Sequence, residues 1–316
     1  MIRSDRSPPD KAAGDSYIAG AMKRFLLAAI SVSFAALAAL APAQSAQSDW
    51  AVDLQSRLRL LLVPGEDGEL AGGVEIALEP GWHTYWRAPG EAGIPPQLDF
   101  SGSENVASLE VHYPVPERYD DGASLSLVYF DQVVFPLSVV PADPARPVRL
   151  RLNALYGVCE VVCIPARAEA SVMLAPGAPD DPLARVTIRE ARRSVPGPPI
   201  AGRLAVEQIR LAGEALEIAV TVPPEGPVDL FAEGPADWYL GQPKLVSRDA
   251  STARFRLSLA GMPADSRPQG RTFRFVAVAG GEAVAQEVSL EEAWLERGAA
   301  SADAAPAGSS QRGEQP

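Results

Sequence analysis

The chain has 316 residues, with 40 Asp and Glu against 28 Lys and Arg, a formal net charge of −12 and two cysteines. That balance argues against a nucleic-acid partner, whose phosphates would be repelled over most of the surface. With 47% apolar residues there is material for two hydrophobic cores.

In chain order, Met22-Lys23-Arg24 precedes an Ala/Leu/Phe-rich run from Phe25 to Ala41, and Ala41-Pro42-Ala43 offers the small residues that a signal peptidase selects. Residues 1–43 are therefore expected to be a signal peptide. Met1 to Ala21 mixes acids and bases without an apolar stripe, which makes Met22 the expected true start. An uncleaved membrane anchor is the alternative, since the run is at the short end of what crosses about 30 Å of hydrocarbon. Either reading exports the protein, to the periplasm in the first instance, where disulfides persist.

Residues 48–175 read as a β sandwich. Apolar residues alternate in short runs, Val74, Ile76, Leu78 and Val133, Phe135, Leu137, Val139, between turn clusters such as Glu79-Pro80-Gly81 and Ala88-Pro89-Gly90. Residues 176–203 change character: Asp181 is placed to cap a short linker helix with Pro182 in its first turn, and Pro-Gly-Pro-Pro stops it. The helix carries Arg185, Arg189, Arg192 and Arg193, which suit a solvated face, with contact to anionic lipid as the rival use. Alternation resumes over residues 204–296 at Leu216, Ile218, Val220, Val222, then Phe255, Leu257, Leu259, then Phe273, Phe275, and predicts a second sandwich. Glu75-Ile76-Ala77-Leu78 and Glu217-Ile218-Ala219-Val220 hint that one sandwich duplicates the other. Residues 297–316, rich in Ala, Ser, Gly and Gln, are expected to be a disordered tail. The expected class is thus all-β: two immunoglobulin-like antiparallel β sandwiches joined by a short helical linker.

Both cysteines, Cys159 and Cys163, lie in Gly157-Val158-Cys159-Glu160-Val161-Val162-Cys163. On one extended strand their Cα atoms would be about 13 Å apart, beyond the reach of a disulfide, so a bond between them requires Glu160-Val161-Val162 to turn. Closing so short a loop stabilises by only about 2 kcal/mol in the chain-entropy model, against about 4.7 kcal/mol for a hundred-residue loop. Exchange suits the pair better than bracing. An inert short-loop disulfide in a binding or assembly module and a two-thiolate Cu(I) site remain as alternatives. His83 and His112, distant in sequence from the pair, read as surface or turn residues; Trp82, Tyr85 and Trp86 read as core aromatics rather than site residues. No cation adjoins either thiol in sequence, and Glu160 with Val161, Val162 and Ile164 disfavours thiolate.

Tyr156 to Ala168 (YGVCEVVCIPARA), Gly81 to Pro96 (GWHTYWRAPGEAGIPP) and Glu117 to Gly122 (ERYDDG) together resemble the N-terminal periplasmic domain of the DsbD thiol:disulfide interchange family, and more closely its two-sandwich relatives linked to copper-stress tolerance. The resemblance covers Trp50 to Leu174 well and the second sandwich by pattern alone. It implies an immunoglobulin-like fold without a bound cofactor, and a protein-disulfide reductase type of activity. In that family this domain takes electrons from a membrane-embedded partner and reduces exported thioredoxin-like proteins. It further implies that Cys163 forms the mixed disulfide, that Cys159 resolves it, and that an aromatic cap loop shields the sulfurs, with Tyr119 at the tip and Glu117, Asp120 and Asp121 as its flanks. The chain departs from the family's full-length members in lacking a multi-span segment and a thioredoxin-type Cys-x-x-Cys. Its electron donor is therefore expected on a separate chain.

Overall fold

The computed structural model describes residues 46–291. The expected signal peptide and the expected tail lie outside the described residues. Within them every paired strand is antiparallel and strands dominate, as the period-two alternation requires.

The first sandwich is built from two sheets. One orders β1 (Ala51–Asp53), β2 (Ser56–Pro64), β3 (Leu70–Leu78), β9 (Gln132–Pro141) and β6 (Val106–Val111) as β1-β2-β3-β9-β6. The other runs β11 (Cys163–Leu174), β10 (Val148–Cys159), β4 (His83–Gly90), β8 (Leu125–Phe130) and β7 (Glu117–Asp120), with β5 (Gln97–Asp99) paired to β10. The residues singled out by alternation fill the space between: Val74, Ile76, Phe135, Leu137 and Val139 are fully buried there with Trp86, Leu150 and Tyr156.

The second sandwich pairs β12 (Ala205–Leu211), β13 (Ala215–Thr221), β16 (Thr252–Ser258) and β15 (Lys244–Arg248), in the order β12-β13-β16-β15, with a three-stranded sheet of β14 (Val228–Glu233), β17 (Thr272–Ala279) and β18 (Glu282–Ser289). Its core gathers Ile218, Val220, Phe255, Leu257, Phe273 and Phe275. The three-stranded sheet is buried on both faces. On β17, Phe273, Phe275 and Ala277 enter the second core, whereas Val276 enters the first; on β14, Leu230 and Ala232 face one way and Phe231 the other. A sheet covered on both sides needs a nearly continuous apolar run, which Phe275-Val276-Ala277-Val278-Ala279 supplies.

The duplicated tetrapeptides occupy matching places. In the hairpin of β2 and β3, Arg59 lies opposite Glu75; in that of β12 and β13, Arg210 lies opposite Glu217. Both pairs form ion pairs across the strands. The hairpins differ in length and register: Arg59 and Glu75 are 16 residues apart in an unbroken ladder, Arg210 and Glu217 only 7 apart in a ladder with a shift between Val206 and Gln208, so the common feature is the charge pair.

Helix α1 (Pro182–Arg193) begins as its sequence demands: the Asp181 carboxylate accepts from the Leu183 and Ala184 N–H groups, and proline fills the first turn. It lies on the outer face of the five-stranded sheet, packing Ala184 and Ile188 against Leu61 and Val63. Gly73 makes room for it, since a Cβ there would sit 2.9 Å from a Val134 methyl and 3.4 Å from Ile188. The arginines correct the expectation of a merely solvated face. Arg185 donates to the Pro64 carbonyl, and Arg192 to the Leu137 carbonyl and the Ser138 hydroxyl, so these two tie the helix to the sandwich.

Candidate redox site

The longest hairpin of the molecule carries the cysteines. β10 and β11 stay in register through twelve pairs, from Val148 opposite Leu174 to Cys159 opposite Cys163, and Glu160-Val161-Val162 turns between them. The turn brings the two Cα atoms to 4.2 Å and the sulfurs into a disulfide. Eleven pairs already zip the strands below it, so the bond adds little closure to a hairpin that is closed without it.

The two sulfurs differ in access. Cys159 is 2% exposed, whereas Cys163 is exposed at the start of β11 beside Val161 and Val162, themselves 91% and 67% exposed. Cys163 is the more accessible of the two to solvent.

Alternation explains what surrounds Cys159. Trp86 points into the first core, so Tyr85 and His83, with Cys159 and Val128, lie on the opposite, outer face of the sheet. An outer-face aromatic is buried only if something covers it. Here Tyr85 is 2% exposed, packed between Gly93 and Gly157. A Cβ at Gly93, which has φ +119°, would sit 2.3 Å from the ring, and one at Gly157 would sit 2.9 Å from it, so both positions need glycine for the ring to fit. The Gly157 N–H donates to the Ile94 carbonyl at 3.1 Å and its carbonyl accepts from Thr84 Oγ1 at 2.8 Å, which ties the covering loop and β4 to the cysteine strand.

So held, the Tyr85 hydroxyl stands 2.8 Å from Cys159 Sγ and 2.9 Å from Cys163 Sγ. Bonded sulfurs carry no proton, so the O–H is the donor to both. Burial, with the charge of Asp121 and the neighbouring Tyr119 adding to it, pushes the Tyr85 pKa up to about 12. The phenol therefore keeps its proton at neutral pH.

His83 is the cross-strand neighbour of Cys159, 3% exposed, with ring contacts to Tyr85 at 5.4 Å, Tyr119 at 4.9 Å and Phe130 at 5.5 Å. Burial lowers its pKa and Asp121 opposes that shift. The sequence expectation of a surface or turn residue is corrected for His83, because the loops and β7 roof over the outer face at this end of β4. Tyr85 likewise belongs to the site although the residues around it read as core. The signal was available: Trp86 cannot face the core unless Tyr85 faces away from it.

Tyr119 lies half-buried on β7, against His83 and, at 5.6 Å, Phe130, and packs on the cluster of Tyr85, Val128 and Cys159. Its flanks Glu117, Asp120 and Asp121 are all exposed, and the charge of Asp121 raises the pKa of both His83 and Tyr85. Among the described residues no group of three or more His, Cys, Asp or Glu gathers that could hold a metal ion, and no helix is long and apolar enough to cross a membrane.

Residues 59–175 match the model of the family described as "Thiol:disulfide interchange protein DsbD, N-terminal". This segment is similar to the DsbD N-terminal domain. The matched residues include Cys159, Cys163, Tyr85, His83 and Tyr119. A solved structure, the N-terminal periplasmic domain of ScsB from Proteus mirabilis, superposes with a TM-score of 0.65 at 20% identity, over 78% of this chain and 99% of that chain. So large a share takes in the second sandwich as well as the segment that matches the family model, and the likeness is one of fold. A comparison with curated proteins found no match.

Proposed function

We propose that the protein is a periplasmic thiol:disulfide oxidoreductase that relays reducing equivalents from a membrane-embedded thiol donor on a separate chain to exported thioredoxin-like proteins. The observation that carries this reading is the asymmetric pair: an exposed Cys163, a buried Cys159, and one protonated phenol within 2.9 Å of both sulfurs.

In the reductive direction the dithiol form begins the cycle. The Cys163 thiolate attacks one sulfur of the acceptor disulfide; the new S–S bond joins the two proteins and the acceptor's other sulfur leaves as thiolate. Cys159, deprotonated, then attacks Cys163 Sγ, closes the intramolecular disulfide and releases the acceptor's second sulfur. Two electrons pass to the acceptor, which takes up two protons as its thiolates become thiols. The donor dithiol reverses these steps on the Cys159–Cys163 bond. Whenever Cys159 or Cys163 is the leaving sulfur, the Tyr85 O–H is aimed at the charge that develops, the arrangement that lowers such a barrier. Tyr119 serves as the cap that keeps stray thiols and oxidants from the buried sulfur between encounters.

The rival reading is a non-enzymatic binding or assembly module, copper-handling or otherwise, with an inert disulfide. It has less support, because a hairpin zipped through eleven further pairs has little need of a brace. The test is a non-reducing gel of cells expressing each single mutant with its export signal. Cys159→Ser leaves the attacking thiol without its resolving partner and is expected to accumulate covalent adducts with thioredoxin-like proteins that collapse on reduction; Cys163→Ser is expected to trap far fewer. Adducts mainly from Cys163→Ser would reverse the roles. Adducts from neither, with partners present, would favour the inert module.

A further inference from the structure

We infer that Arg118 is a positioning residue through which the second sandwich sets access to the disulfide. The inference rests on the reading of Tyr119 as the cap.

β7 is weakly held by its own sheet. It is a four-residue edge strand paired on one side only, to β8, from Glu117 opposite Val128 to Asp120 opposite Leu125. Successive side chains on a strand point to opposite faces. Tyr119 goes to the sulfur face, where it meets His83, and Arg118 goes to the other, where every recorded partner belongs to the second sandwich. Its Nε lies 2.9 and 2.8 Å from the two carboxylate oxygens of Asp229, and its Nη2 donates to the Leu230 carbonyl at 2.7 Å and the Pro243 carbonyl at 2.9 Å. The guanidinium also stands over the Phe231 ring, 5.2 Å from its centroid.

Each of these contacts is of a strong kind. The carboxylate contact is charge-assisted, two carbonyls take further protons, and a ring face receives the cation. The pair is also partly shielded, with side chains 24% and 33% exposed, which spares it some of the screening that weakens surface ion pairs. On the receiving side the groups are themselves fixed. Phe231 packs against Trp86 at 6.2 Å in the first core, and the Gln242 amide pairs with both the N–H and the carbonyl of Ala232, holding the segment that presents Pro243.

A second approach reaches the same hairpin. Glu91 accepts from the Leu125 N–H at the far end of the hairpin of β7 and β8, and its other oxygen would lie 3.3 Å from a Cβ at Gly241. The segment around residues 241–243 therefore meets β7 directly through Arg118 and the start of β8 indirectly through Glu91. The edge strand that carries Tyr119 takes its position from β8 on one flank and from the second sandwich through Arg118. Released from Arg118, β7 keeps four backbone pairs and gains freedom to swing away from the sulfurs.

The test measures the rate at which dithiothreitol reduces the disulfide of the full chain, alongside its melting temperature. Tyr119→Ala sets the rate of an uncapped site. Arg118→Ala is expected to raise the rate toward it, by roughly threefold to thirtyfold, the range of couplings carried through one packed element. Arg118→Lys should fall between, since a single ammonium cannot reach Asp229 and the two carbonyls at once as the spread donors of the guanidinium do. The double substitution Arg118→Ala/Tyr119→Ala should be no faster than Tyr119→Ala alone, because both act through one side chain. Ile209→Ala, in the second core on β12 at the opposite edge of its sheet from β15, controls for destabilisation: it should lower the melting temperature and leave the rate unchanged. A faster Tyr119→Ala with an unchanged Arg118→Ala, or additive effects in the double variant, would overturn the anchoring role alone. An unchanged Tyr119→Ala would overturn the cap reading and this inference with it. An Ile209→Ala protein as fast as Arg118→Ala would show that loss of stability, rather than loss of the anchor, opens the site.

Discussion

The two sandwiches share an Arg–Glu pair across a β-hairpin, yet they spend their buried polar groups differently. In the first, Ser56, Glu75, His83, Thr84 and Ser126 are buried; in the second, among the described residues, Gln242 is the counterpart, and it serves its own backbone. His83 and Thr84 flank Tyr85 on the strand that meets the cysteines, and Ser126 donates to the Ala92 carbonyl in the loop that covers that ring. Polar groups cost free energy to bury unless they are paired; Glu75 is paired with Arg59 and Gln132, and Ser56 with Tyr156 in the other sheet, so it is His83, Thr84 and Ser126 around Tyr85 that mark where the fold serves chemistry as well as stability. The second sandwich keeps an apolar core and contributes its outer layer to its neighbour.

The sharpest way to break that contrast is through glycine. Gly93 and Gly213 both have positive φ, +119° and +61°, but a Cβ at Gly93 would strike the Tyr85 ring at 2.3 Å while one at Gly213 meets nothing within 4 Å. Gly93→Ala is expected to cost about 3 kcal/mol, combining backbone strain with overpacking, and Gly213→Ala only about 1 kcal/mol. Urea midpoints measure the stability part. Disulfide reduction rates measure the rest: Gly93→Ala should change the rate by displacing the phenol, and Gly213→Ala should leave it alone. Equal costs at the two sites would mean that the loop yields freely and does not clamp the ring.

A smaller effect separates packing from chemistry within the site. Tyr85→Phe keeps the ring between its two glycines and removes only the hydroxyl within reach of both sulfurs. A hydrogen bond to a charged group contributes about 1.5 kcal/mol or more, so exchange with a thioredoxin-like protein should slow roughly tenfold. The melting temperature should fall only slightly. A full-speed Tyr85→Phe protein would make the tyrosine a packing residue like those of the second core.

The strands, the capped helix and the cysteine turn could be read from the sequence because each is decided by neighbours a few residues apart: the alternation of Val133 to Val139, the Asp181-Pro182 start, the three residues between Cys159 and Cys163. The rest depends on distant partners. His83 becomes buried only when residues near Tyr119 and Asp121 fold over it. Arg118 reads as an ordinary loop cation until Asp229, 111 residues later, arrives beside it. The double burial of β17 was half visible, in the run from Phe275 to Ala279, but Phe231 on β14 sits between Leu230 and Ala232 with no pattern to say that it faces another core. Local periodicity reports which face is apolar and leaves open what covers it.

The smallest expected effect follows from the histidines, both of which lie in the first sandwich: the chain has two, His83 and His112. Burial lowers the pKa of each from the ordinary value of 6.5; Asp121 opposes the shift at His83, while Arg192 adds to it at His112 and Glu110 opposes it. A histidine whose folded pKa is depressed binds fewer protons folded than unfolded in the window just below 6.5, so stability rises with pH there. The stabilisation is therefore fully present above about pH 6.5 and is lost as pH falls toward the lower folded values. Urea midpoints between pH 7.5 and 5.5 should decline on acidification, and the decline should be shallower in His83→Gln, which has no imidazole to protonate. Asp121→Asn sharpens the assignment. Without the opposing carboxylate the His83 pKa drops further, the window widens, and the acid-side loss grows. Matching slopes in the parent and His83→Gln would show that the buried ring takes no part in the acid response, which would then rest with His112 and the carboxylates. An unchanged or shallower slope in Asp121→Asn would show that the charge in the turn between β7 and β8 does not act on His83, and would part that turn from the buried ring it stands near.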